Sequence, residues 1–207
     1  MISRVFNPRF EAFSVFFLIM TVLWFVPKQY QFVCFTLLFI AIIWSFVGRK
    51  DSMRDLGFEA VNFKHTLLLF LCVAAIVCIF AVLGWYMTGS LKLTFAKFQQ
   101  RTVAYYFWAL FQQFILNSYF VNRFMKATHN KNAASLYAGI LFGIIHLPNP
   151  FLLVITLILG PLSARLFLEN RNLYILALAH AIVGTSLGFL GGAPGFNMRV
   201  GPGYFAK

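Results

Sequence analysis

Apolar residues in this chain do not alternate with polar ones. They run in long blocks separated by short polar connectors. The blocks lie at 10–26, 31–48, 66–87, 102–121, 133–147, 151–168 and 173–191. Crossing a hydrocarbon layer of about 30 Å as a helix takes about 20 apolar residues, and most of these blocks are near that length. The pattern predicts an all-α fold, a polytopic transmembrane helical bundle of about seven spans. The fifth block stops at the Pro-Asn-Pro of 148–150, where proline cannot continue helical hydrogen bonding. The first block follows Arg4 and Arg9 as a leader sequence would, but no small-residue cleavage site comes after it. It is expected to remain as a helix.

Composition agrees with the blocks. Of 207 residues, 61% are hydrophobic and only 11% charged, too little charge to cover a soluble domain of this size. The net charge of +12 does not mark a nucleic-acid binder, because the basic residues sit in clusters between apolar blocks rather than along one face. With the N-terminus inside, eleven Lys and Arg fall on the inner side and six on the outer, so an N-terminus in the cytoplasm is expected. Cys34, Cys72 and Cys78 all fall inside apolar blocks and read as small packing residues. The chain divides into a two-helix segment (1–48), a core (49–191) and a Gly- and Pro-rich tail (192–207).

Against this background a few polar side chains stand out. The fourth block holds Gln112, Gln113 and Asn117, the fifth ends on His146, and the seventh holds His180. An unpartnered amide or imidazole in hydrocarbon costs about 2–7 kcal/mol, so such groups face a bundle interior and are default candidates for function. Gln113 and Asn117 are four residues apart and share a helix face, whereas Gln112 lies on a face with Tyr105, Trp108 and Tyr119. Taken singly, each reads as interhelical glue. Together, on three helices, they predict a shared polar pocket, bordered by Asn149 and Arg199 if the turn at 146–150 and the tail lie near it.

The chemistry of that pocket is constrained. His146 and His180 supply two of the three or more strong donors that zinc requires, so a metal ion bound by this pair is a minor alternative and no cofactor is called for. His65 and His129, in polar connectors, read as solvated. The five acidic residues are Glu11, Asp51, Asp55, Glu59 and Glu169, none in the middle of a block. A general base must take and release a proton, which an amide does not do. A carboxylate base would have to come from a connector folded back into the core.

The order of these motifs resembles the CPBP family of intramembrane proteases, the CAAX-processing and bacteriocin-processing enzymes. That family carries Glu-Glu-x-x-x-Arg in one helix, Phe-x-x-x-His in the next and His-x-x-x-Asn or His-x-x-x-Asp in a later one. Here Gln112 and Gln113 stand in the places of the glutamates and Asn117 in that of the arginine. Phe142 and His146 match the second motif; His180 opens the third, with Gly184 in place of the asparagine. The Arg-Asp-Leu-Gly-Phe of the preceding connector (54–58) also looks like the family's lead into its core. The resemblance covers about residues 50–190. It implies that His146 binds the attacking water and that His180 stabilises an oxyanion or orients, with the motif positions Asn117, Phe142 and Gly184 around the substrate; Asn149 joins them only by the expected place of its turn. Gln112 would hold water without deprotonating it. Glu-Glu and Arg are lost together, which leaves no buried ion unpaired.

The expected function is a divergent intramembrane endopeptidase acting on a membrane-associated protein or peptide. The first alternative is an inactive pseudoprotease that binds membrane-protein tails or lipid-linked substrates. The second is a small transporter or lipid-modifying membrane enzyme, disfavoured by the absence of an internal repeat. A bacterial inner membrane is the expected location, with the lipid bilayer as partner and no nucleic acid.

Overall fold

The computed structural model describes residues 7–58, 63–90, 94–190 and 196–205, with side chains of 63–68 left aside. The helices are α1 (Pro8–Phe25), α2 (Lys28–Arg49), α3 (Phe63–Thr88), α4 (Phe95–Gln113), α5 (Asn122–Thr128), α6 (Lys131–Ile144), α7 (Pro150–Asn170) and α8 (Leu173–Ser186). There is no strand among the described residues, only an isolated bridge between Phe58 and Asn172. The all-α expectation holds, and the helix ends fall within about five residues of the apolar blocks, with α4 the exception. It starts seven residues before its block and ends eight before the block does, the rest being the widened turns of 114–121. Five of the helices, α1, α2, α3, α7 and α8, are long and apolar enough to cross a membrane, the last with its 3₁₀ extension to Leu190. The other two predicted spans differ for physical reasons. The N-terminal half of α4 carries Lys97, Gln99, Gln100 and Arg101. The 14 residues of α6 reach only about 21 Å, short of the hydrocarbon thickness.

The helix ends follow from local chemistry. Asn7, Thr94, Asn130, Asn149 and Asn172 each accept a backbone N–H in the first turn of the helix they precede, as short polar N-caps do. From Phe114 to Val121 the chain between α4 and α5 widens into π-helical turns, and all eight of these residues are buried. Such widened turns recur at functional sites. Helices α6 and α7 form an antiparallel hairpin whose closeness depends on glycine. A Cβ on Gly139 would lie 2.3 Å from Cδ of Pro161, and one on Gly143 would lie 2.6 Å from a Leu157 methyl. Small residues let membrane helices approach and gain dispersion energy where no hydrophobic force acts between them.

One end of the bundle is held by ions. Arg123, with none of its side chain exposed, donates from Nε to Glu11 (2.9 Å), from Nη1 to Asp51 (2.8 Å) and from Nη2 to the Ser45 hydroxyl (2.8 Å). Arg49 also pairs with Glu11 at 2.5 Å, and Lys126 pairs with Asp51. The Arg123 guanidinium lies over the rings of Phe46 and Tyr119, at 5.0 and 5.1 Å. The sequence shows Arg123 only as one more basic residue near a helix end; its burial depends on three elements meeting.

The 54–58 connector docks at the same end. Ser118 and Asn122 donate to the carbonyls of Leu56 and Asp55, and the Leu173 N–H donates to the Gly57 carbonyl. Burial raises the Asp55 carboxyl, but hydrogen bonds from the Ser52 hydroxyl and N–H, with the nearby charges of Arg171 and Lys126, outweigh it and hold Asp55 below its ordinary value. Glu59 and the 59–62 stretch lie outside the described residues, as do 191–195 and 206–207 of the tail.

Candidate active site

The polar positions of three helices converge. Gln113 of α4 is 3% exposed, and its Oε1 accepts from Nδ2 of Asn117 (2.6 Å) and from the hydroxyl of Ser163 on α7 (2.8 Å). That leaves its Nε2 facing Nδ1 of His180 on α8, 2.8 Å away. Because this amide nitrogen can only donate, His180 Nδ1 is the acceptor and the ring proton sits on Nε2. In the turn after α6, His146 has Nδ1 2.7 Å from the carbonyl oxygen of Phe142. A carbonyl only accepts, so Nδ1 carries the proton and Nε2 keeps its lone pair. The Phe142 ring lies edge-on to both imidazoles, with centroids 4.9 Å from His146 and 6.1 Å from His180.

All of this opens on one cavity of about 370 Å³. Gln112, Gln113, His146, His180, Phe142, Gly184, Ser163 and Tyr105 line it, within walls that are mostly apolar and draw on α1, α2, α3, α7 and α8. The predicted meeting of imidazoles and amides is present. Gln112 is reached from a separate direction, its Oε1 accepting from the Tyr105 hydroxyl at 3.2 Å. Asn117 is fully buried behind Gln113 and is not a lining residue; its Nδ2 also donates to Ser163 at 3.3 Å. Gly184 borders the cavity without a side chain, and a Cβ there would stand 2.6 Å from the Tyr105 ring.

Asn149 is elsewhere. Its Oδ1 caps α7 through the Leu152 N–H, while Nδ2 donates to the carbonyls of Asn197 and Arg199 in the tail. It straps the tail to the α6–α7 turn and does not line the cavity. The tail is nonetheless close: Met198 and Val200 are lining residues, and the Gly201 N–H donates to the Leu147 carbonyl.

Two residues of the site escaped the sequence reading. Ser163 is a lone hydroxyl in the apolar α7 and differs in no visible way from Ser or Thr residues that bond their own helix. Tyr105 was visible only as a neighbour of Gln112 on the helix face. Among the described residues no group of three His, Cys, Asp or Glu side chains gathers where one ion would sit, and both imidazole Nδ1 atoms already have partners. The donor set therefore falls short of a metal site. The described carboxylates are also remote: Glu11, Asp51, Asp55 and Glu169 are bonded at or near the end of the bundle that holds Arg123, and none lines the cavity.

No curated protein and no solved structure matches the chain. The five long apolar helices make it an integral membrane protein. Residues 96–186, just under half of the chain, carry every imidazole and amide that lines the cavity, and they match the family described as type II CAAX prenyl endopeptidase Rce1-like, in line with the resemblance carried by the order of the motifs.

Proposed function

We propose that this protein is an intramembrane endopeptidase of the CAAX-protease kind in which imidazoles, rather than a carboxylate, handle the water. The observation that carries the reading is the opposite protonation of two histidines on one cavity: His146 offers a bare Nε2 and His180 an Nε2–H. In this scheme a water donates its hydrogen bond to His146 Nε2 and attacks the carbonyl carbon of a peptide bond, and His146 takes the proton. The oxygen that becomes negative accepts from His180 Nε2–H, on a ring that Gln113 holds at a cavity with mostly apolar walls. The His146 imidazolium then returns its proton to the departing amine as the C–N bond breaks, and the ring is neutral again. The apolar walls suit a hydrophobic stretch of a membrane-associated protein or peptide, as the family match supports.

The test is cleavage of a membrane-spanning reporter in reconstituted vesicles. His146→Ala is expected to abolish cleavage while insertion and thermal stability persist; unchanged cleavage removes the proposal. A second reading, a binder that does not cut, is favoured by one observation: no described carboxylate lines the cavity. On that reading the parent is silent, and Gln112→Glu with Gln113→Glu and Asn117→Arg creates activity. A parent that cleaves ends it. We also place the N-terminus and the Arg123 cluster on the cytoplasmic side of a bacterial inner membrane, on the excess of Lys and Arg at that end. Cysteine labelling at an introduced Ser52→Cys from the outside of intact cells would contradict this.

A further inference from the structure

We propose that Tyr105 is a positioning residue that turns the Gln112 carboxamide into a donor for a substrate backbone carbonyl. This deepens the peptidase reading and rests on it. Two turns of α4 separate the residues, and the Tyr105 hydroxyl donates to Gln112 Oε1 at 3.2 Å. The phenol ring is fixed from the opposite helix: it fills the space that a side chain at Gly184 would need, and it stands edge-on to the His180 ring at 6.0 Å. With its oxygen occupied, Gln112 keeps its NH₂ free, and that group has no hydrogen-bond partner among the described residues, although Gln112 lines the cavity. In this pairing the hydroxyl donates and the amide oxygen accepts, which turns the NH₂ end of Gln112 away from Tyr105. The N–H bonds are therefore the end presented to what enters.

The contrast with Gln113 sharpens the assignment. Gln113 spends its amide on Ser163, Asn117 and His180 and is part of the scaffold. Gln112 is the amide with capacity left over. Peptide substrates offer carbonyl acceptors on either side of the bond to be cut, and an extended peptide in an apolar cavity must have them satisfied. Such a contact holds substrate and transition state alike, so its loss raises KM and leaves kcat nearly unchanged.

The experiment uses the full chain in vesicles of phosphatidylethanolamine and phosphatidylglycerol with a membrane-spanning peptide that carries a fluorophore and a quencher. Anisotropy reads binding and dequenching reads cleavage. Tyr105→Phe, which keeps the ring but removes the hydroxyl, and Gln112→Leu are each expected to raise KM by about tenfold. The double variant should be no worse than either alone. Gly184→Ala, which pushes the ring aside, should shift KM in the same direction. Additive losses, or a Tyr105→Phe protein equal to its parent, overturn the proposal. A parent that binds without cutting ends the hydrolytic reading alone, and the same cycle measured by anisotropy then decides this one. A parent that neither binds nor cuts the peptide ends both.

Discussion

Nε2 of Gln113 stands 2.8 Å from Nδ1 of His180, and this contact decides which nitrogen of the imidazole carries the proton. Gln113→Leu removes the donor and strands the Ser163 hydroxyl and the Asn117 amide. The variant should lose about 1–3 kcal/mol of stability, the usual cost of unpaired buried polar groups. In ¹⁵N spectra of histidine-labelled protein, the parent should show His180 protonated on Nε2 alone, and the variant a mixture of tautomers. His180 protonated on Nδ1 in the parent would take from that ring the donor role assigned to it.

Arg123 links α5 to α1 and to the segment after α2 through Glu11 and Asp51. Removing Arg123 breaks two ion pairs of a buried cluster, while Arg49 and Lys126 still hold Glu11 and Asp51. The loss should lie toward the low end of the about 3–5 kcal/mol that breaking a buried pair costs. Arg123→Met should therefore lower the melting temperature in detergent sharply. Glu11→Gln added to it should deepen the loss, because the remaining Arg49–Glu11 pair goes as well. A single variant that melts with the parent would show that the cluster contributes little.

The hairpin of α6 and α7 predicts its own sensitivity. Gly139→Ala places a methyl 2.3 Å from a proline ring carbon that cannot swing away. A destabilisation of about 1–3 kcal/mol is expected from such overpacking. Gly48→Ala, where nothing lies within 4 Å, is the matched control and should leave stability unchanged or slightly raised. Equal behaviour of the two would contradict the packing described for the hairpin.

Docking of the 54–58 connector should depend on pH in the acid range only. Asp55 is held below its ordinary value of 3.8 in the folded protein. The stabilisation it gives is thus complete above that value and is lost as pH falls through the lower folded one. Hydrogen exchange at Leu56 and Gly57 should be flat from neutral pH down to about 4, after correction for intrinsic rates, and should rise below it. In Asp55→Asn the acid step should vanish. A step near pH 6 would point to another group.

Much of this molecule was legible in the chain because a membrane removes alternatives. Long apolar blocks have few ways to satisfy their backbone except as helices, so the ends of α2 and α7 were readable to within three residues. Gln113, His146 and His180 were legible as a set for the same reason, since polar groups in such blocks need each other. Other features depend on which helices become neighbours. Ser163 gains meaning only when α7 lies beside α4, and Arg123 is buried only because α1 brings Glu11 to it. Asn149, which the expected topology drew toward the pocket, is taken by the tail, whose path carries no periodic signal. The short α6 read as a span because apolar content does not fix helix length, and the charged start of α4 (95–101) lay outside the apolar block.

The cavity wall built by Ile19, Leu23, Phe35, Leu38, Phe39 and Ile42 comes from α1 and α2, upstream of the stretch that matches the family. Part of the container thus comes from outside the stretch that carries the imidazoles and amides. Substitutions among these six side chains can therefore reshape the chamber while both imidazoles keep their bonds.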